Sequence, residues 1–220
     1  MQAKTRRKIE MGIRALAFCV DHPDPSEGYG KVVASLQSLI TRARQLMTLQ
    51  SESLRQLRGA TARRVELRKR MRRTHMSHVA RVARLAAAED PNLEQTFKLV
   101  REDVPYLEFL SVARHFAAEA IARRDLLVHY GLADTMLTAL QHSVEEFDGL
   151  NHSILEAHLQ HVRATAELRL IGGRIIRLVG VIDALNRFRF DANPELMAAW
   201  LSSSNVVNPR RGPEELRAAS

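Results

Sequence analysis

Apolar residues recur along this chain at spacings of three, four and seven, the signature of helices with one buried face. Val33, Leu36, Ile40, Ala43, Met47, Leu54 and Leu57 form one such series, and Leu67, Met71, Val82 and Leu85 continue it as a narrower seam. Leu107, Leu110, Phe116, Ala117, Ile121 and Leu127 mark a second face, and Ile154, Leu168, Ile175 and Val179 a third. No proline falls between Pro25 and Pro91 or between Pro105 and Pro194. Because proline ends helices, these two long windows predict two very long helices.

Start and stop signals set the expected boundaries. A first helix covers 5–21. Asp24-Pro25 with Glu27 reads as an N-cap, a proline at the first helical position and a capping-box acid. The second helix is expected to run from there to Ala88, with Gly59 its only interior breaker beyond the first turn. Asp90-Pro91 opens a short helix to about Val100, and Asp103-Val104-Pro105 opens another to Tyr130. Gly131 is a helix stop, Asp134 caps a helix over 135–189, and Asn193-Pro194 caps a last short helix carrying Trp200. The predicted fold is all-α: an elongated antiparallel helical bundle or coiled coil. Two long helices, about 25–88 and 133–189, form it, with shorter helices alongside. One domain over 1–201 is expected, with hairpin halves at about 1–88 and 105–190, a linker at 89–104 and a flexible tail over 202–220. In the simplest arrangement the second halves of the long helices lie against each other. Gly149, Gly172, Gly173 and Gly180 within the last long helix suggest close approach to a neighbour.

Composition narrows the class. Hydrophobic residues make up 45% of the chain, enough for a packed core, while aromatics are only 5%, so aliphatic and small side chains must fill it. A single cysteine, Cys19, excludes an internal disulfide and fits a reducing, cytoplasmic setting. The basic residues before Met11 resemble a secretory leader, but Arg14 interrupts the apolar run, and an amphipathic first helix is expected instead. The most apolar stretch, Leu170 to Ile182, carries Arg174 and Arg177, so no membrane span is expected.

Charge is concentrated. The net charge of the chain is +8. Residues 61–84 alone carry that much: Arg63, Arg64, Arg68, Lys69, Arg70, Arg72, Arg73, Arg81 and Arg84 against the single acid Glu66. These side chains point all round a helix, so the segment cannot be deeply buried. It can bind a polyanion, either nucleic acid or an acidic membrane surface. Alternatively it is a solvated face matched by acids such as Glu145, Glu146, Asp148, Glu156 and Glu167. No aromatic interleaves the arginines, so a base-stacking platform is missing.

Two histidine pairs have i, i+3 spacing: His75 with His78, and His158 with His161. A register setting residue 76 opposite residue 160 would bring four imidazoles together, a set able to hold zinc or another divalent metal. Otherwise they are polar seam residues and no cofactor is expected. Cys19 and His22 are three apart, which reads as a buried thiol at a helix end rather than a nucleophile with its base.

Arg14-Ala15-Leu16-Ala17-Phe18-Cys19, Asp183-Ala184-Leu185-Asn186-Arg187 and Ala199-Trp200-Leu201-Ser202-Ser203-Ser204-Asn205-Val206-Val207 resemble segments of uncharacterised bacterial helical-bundle proteins. That resemblance implies a bacterial cytoplasmic origin and no activity. With no catalytic constellation in the sequence, the expected function is a non-enzymatic structural or interaction bundle whose partner is another protein or a second copy.

Overall fold

The computed structural model describes residues 2–206, and among them there are helices and no strand. In chain order the helices are α1 (Ala3–Asp21), α2 (Glu27–Arg70), a π-helical turn (Met71–Met76), α3 (Ser77–Ala86), α4 (Asn92–Thr96), α5 (Tyr106–Ala122), α6 (Arg124–His129), α7 (Asp134–Arg189) and α8 (Pro194–Ser204). The all-α expectation holds. Of the expected tail, Ser202 to Ser204 belong to α8, and residues 207–220 lie outside the described residues.

Local chemistry explains most boundaries. The Asp24 carboxylate accepts the Ser26 amide at 2.8 Å, and Asp90 does the same for Asn92 at 3.1 Å. Asn193 accepts from the Leu196 amide at 3.1 Å, with Pro194 opening α8. Gly131 takes φ +94°, a left-handed conformation costly for other residues, and ends α6. The expected helix 105–130 is broken at Arg123, whose φ of −108° separates α5 from α6.

The chain divides into two compact units. One joins the N-terminal stretch through Ser53 with the stretch from Gln160 onward, and the other is Leu54–Leu159. The division therefore falls within α2 and α7, not at 89–104. That stretch belongs to the second unit because Leu93 and Phe97 are buried in its core.

In the first unit, α1, the first part of α2, the second part of α7 and α8 enclose one core. Ile9, Ala15 and Phe18 meet Leu36, Ile40 and Leu46 from α2, and Leu168, Ile175 and Ile182 from α7. Trp200 is fully buried against Phe18, with ring centroids 5.4 Å apart. Gly12 sits so close to Ile175 that a Cβ there would collide with its Cγ2. Arg189 closes the α1–α2 turn by donating to the carbonyls of His22 and Pro23. Towards Ser53 the seam turns polar. Gln50 donates to Thr165 at 2.6 Å, and Thr165 donates to the His161 carbonyl at 2.8 Å. Met47, expected inside, is exposed, and its neighbour Leu46 is buried instead.

In the second unit, the rest of α2, the π-turn, α3 to α6 and the first part of α7 enclose a second core rich in Phe97, Phe109, Phe116 and Phe147. Phe97 and Phe116 meet edge-on at 5.0 Å, and Phe109 and Phe147 at 5.3 Å.

α2 and α7 are antiparallel neighbours inside each unit. Arg42 pairs with Glu167 at 2.8 Å in the first, and Arg63 with Glu146 at 2.8 Å in the second. The beginning of each long helix thus faces the end of the other, which corrects the expected meeting of their second halves. The glycine expectation also needs correcting. Gly172 lies against Thr5 and Lys8 of α1, but a Cβ at Gly149, Gly173 or Gly180 would meet nothing.

Candidate functional site

The basic segment lies wholly in the second unit, and its helix is not regular. At Met71–Met76 the backbone opens into a π-turn, with the Ser77 amide reaching back to the carbonyl of Arg72. A π-turn accommodates one extra residue, and such turns often occur at functional positions. Here it rotates everything that follows. A regular helix would bury Met71, His75, His78, Val82 and Leu85. In the structure Met76, Val79, Ala83 and Ala86 join the core, His78 is only half-buried, and Leu85 is 64% exposed. Val82 stays buried beside the shifted seam.

The nine cations fall into two groups. The first group builds the unit. Arg63 pairs with Glu146, and the Arg64 guanidinium lies 5.1 Å from the centre of the Tyr106 ring. Arg68 donates to the carbonyls of Glu102 at 2.8 Å and Val104 at 2.6 Å, and covers the Phe109 ring at 4.7 Å. Arg72 donates to the Val100 carbonyl at 2.9 Å and to a Glu102 carboxylate oxygen at 2.9 Å. Residues 97–104 form no regular structure, so their carbonyls lack ladder partners. The arginine forks supply donors and clip this strap to the helix.

The second group faces outward. Arg70 makes only a one-turn pair with Glu66 at 3.1 Å, and Arg73 reaches Glu102 at 3.3 Å while 57% exposed. Lys69, Arg81 and Arg84 are exposed and have no acidic partner among the described residues. Arg81 and Arg84, three apart in α3, fall near one face, and Arg73 lies in the π-turn before them. The segment is thus part structural and part outward-facing.

Of the acids expected to match it, only Glu146 reaches it. Asp148 pairs with Arg114 and Glu167 with Arg42. Glu102, which sequence reasoning missed, is the principal acid of the segment. The sequence carries no signal for it beyond an acid in a short linker, since its approach to Arg68 and Arg72 depends on where that linker packs. Val65, Arg68, Lys69, Arg72, Arg73 and Glu102 line an open cleft of about 320 Å³.

The four histidines are not brought into a ligand set. His161 lies 3.3 Å from the Gln50 carbonyl, so residue 50, not 76, faces this part of α7. His158 is exposed, and among the described residues no three of His, Cys, Asp and Glu form a group able to hold a metal. The register set by the Arg42–Glu167 and Arg63–Glu146 pairs is the physical reason.

His75 is the buried one, and its Nδ1 has no hydrogen-bond partner. Burial, with repulsion from Arg70 added, holds its proton affinity below the ordinary imidazole value. The folded chain therefore binds fewer protons than the unfolded one below about pH 6.5. Stability from this group is fully present above that pH and falls as pH drops towards the folded-state value. Urea unfolding of the wild type should show this loss, and His75→Leu should flatten the profile in that window.

In the first unit, Cys19 is buried, and burial pushes its thiol up despite Tyr29 and Arg189 nearby. Burial, aided by Cys19, also pushes the Tyr29 hydroxyl up to about 12. Both groups stay protonated at neutral pH, which fits a structural thiol and gives no nucleophile. No family model, curated protein or solved structure matches the chain. Among the described residues no helix is long and apolar enough to cross a membrane.

Proposed function

We propose that this chain is a non-enzymatic helical bundle that works by binding a protein partner or a second copy of itself, in a reducing cytoplasm. The observation carrying this reading is the outward side of α7 in the first unit. Leu170, Val181 and Phe188 are exposed on the side away from the core residues Leu168, Ile175 and Ile182, with Val162 and Leu185 exposed on its flanks, and Phe188 is 90% exposed. Scattered single apolar residues are ordinary on a surface, but several along one helix side suit a partner helix.

The test is sedimentation velocity over a concentration series, together with affinity capture by the full chain. Association is expected in one of the two, and Leu170→Glu with Phe188→Glu should abolish it while leaving helicity unchanged. A strict monomer that captures nothing ends this reading.

The outward cations favour a second reading, binding of an extended polyanion such as nucleic acid or an acidic membrane surface, through Lys69, Arg81 and Arg84, unpartnered among the described residues, with Arg70 and Arg73 beside them. Such binding must weaken steeply with salt. Labelled duplex DNA and acidic vesicles should then bind at low salt and be lost in Arg81→Ala/Arg84→Ala. No salt-dependent binding by the wild type rules it out.

A further inference from the structure

The cleft beside Glu102 has a property that the outward arginines lack. Two of its cations are already held in place. Arg68 is fixed by two carbonyls and the Phe109 ring, and Arg72 by the Val100 carbonyl. Most of the side-chain entropy that binding would cost at Arg68 and Arg72 has therefore been lost on folding. The π-turn helps as well. It fits more residues into a turn, so consecutive side chains diverge less, and Arg72 and Arg73 both donate to the same oxygen of Glu102, at 2.9 and 3.3 Å. Lys69 lines the same cleft with no partner among the described residues.

One carboxylate thus faces four cations. A carboxylate brings one charge and two acceptor oxygens, whereas a terminal phosphate brings nearly two charges and three. Glu102 undersupplies this site, and its side chain is 58% exposed.

We infer that this cleft binds a terminal phosphate group, held by Lys69, Arg72 and Arg73, and that the Glu102 carboxylate is an internal competitor for it. The backbone of Glu102 stays clipped by Arg68, so the carboxylate can leave without releasing the strap. This deepens the polyanion reading by naming the group bound, and rests on that reading's use of the same segment, but the two fail separately.

The experiment is calorimetric titration of the full chain with inorganic pyrophosphate at fixed low ionic strength, alongside duplex DNA binding. The wild type should bind pyrophosphate. Glu102→Gln, which removes the competing charge but keeps an acceptor oxygen, should tighten binding by about 2- to 5-fold, the size expected for one nearby exposed charge. Lys69→Ala and Arg73→Ala, both at exposed positions that leave the fold intact, should each weaken it about 10-fold, as suits the loss of a direct charged hydrogen bond, whereas Arg81→Ala/Arg84→Ala, screened by solvent and salt, should change it less than about 2-fold. Absence of binding in both wild type and Glu102→Gln overturns the inference, as does weaker binding in Glu102→Gln. Pyrophosphate binding indifferent to Lys69 and Arg73 also overturns it and leaves only a diffuse polyanion face. Pyrophosphate binding with this variant pattern but without duplex binding sustains the site and removes the polyanion reading.

Discussion

Replacing Trp200 with alanine should lower the unfolding free energy of the first unit by about 3–5 kcal/mol, the range for a large buried aromatic. Trp200 is fully buried, and its ring is the main hold of α8 on the core, meeting Phe18 at 5.4 Å. Its indole N–H donates to Asp183 at 2.8 Å. Burial works against ionisation of Asp183, yet hydrogen bonds from Arg187 and Trp200 outweigh it, and the carboxyl sits below its ordinary range. Truncation therefore opens a cavity and also removes a donor from a charged acceptor. Trp200→Phe should restore the packing and leave a deficit of about 1–2 kcal/mol from the lost hydrogen bond. Urea denaturation followed by circular dichroism reads both. A loss below about 1 kcal/mol for Trp200→Ala would mean that α8 does not need its docking residue, against the range for buried aromatics.

Arg68→Ala should destabilise the second unit by about 2–4 kcal/mol, although the residue belongs to what reads as a surface charge run. Hydrogen bonds from a charged donor contribute about 1.5–3 kcal/mol each and a ring contact about 0.5–1 kcal/mol, with a discount for partial exposure. The variant also leaves the carbonyls of Glu102 and Val104 without a donor. Arg68→Lys should recover little, since an ammonium cannot span two carbonyls as the planar fork does. Hydrogen exchange should locate the loss: amides of 98–104 and of the adjoining Leu93 and Phe97 should open before the rest.

The sequence made the helices legible because caps and prolines are local. Asp24, Asp90, Gly131 and Asn193 do in the structure what their types suggest. Two things were not legible, and both are failures of extrapolation from local pattern. The π-turn is one: heptad counting from Met71 carries on to His78 and Leu85, and only the inserted residue reveals that Val79 and Ala86 take their places. The register of α2 and α7 is the other. Periodicity gives the face of a helix but not its slide, which here is fixed by pairs 125 and 83 residues apart, Arg42–Glu167 and Arg63–Glu146. A wrong slide produced the four-histidine cluster.

The candidate site was legible as a charge run but not as two kinds of arginine. Which cations are free depends on where 97–105 lies, and nothing in that stretch has a period to read. Its Glu102 was simply one acid in a linker. The buried Phe97 and Leu93 bring it to Arg68 and Arg72, so the site follows from long-range packing.

That division of the basic segment is the central claim, and an alanine series over its nine cations tests it most directly, read as urea unfolding free energy at one pH and salt. Arg68→Ala and Arg72→Ala should each cost about 2 kcal/mol or more, with Arg63→Ala smaller, as suits a partly exposed pair. Lys69→Ala, Arg73→Ala, Arg81→Ala and Arg84→Ala should stay within about 0.5 kcal/mol of the wild type, as surface changes do. A uniform series, with Arg68 and Arg72 no different from Arg81 and Arg84, would contradict the claim and return the segment to a plain solvated face.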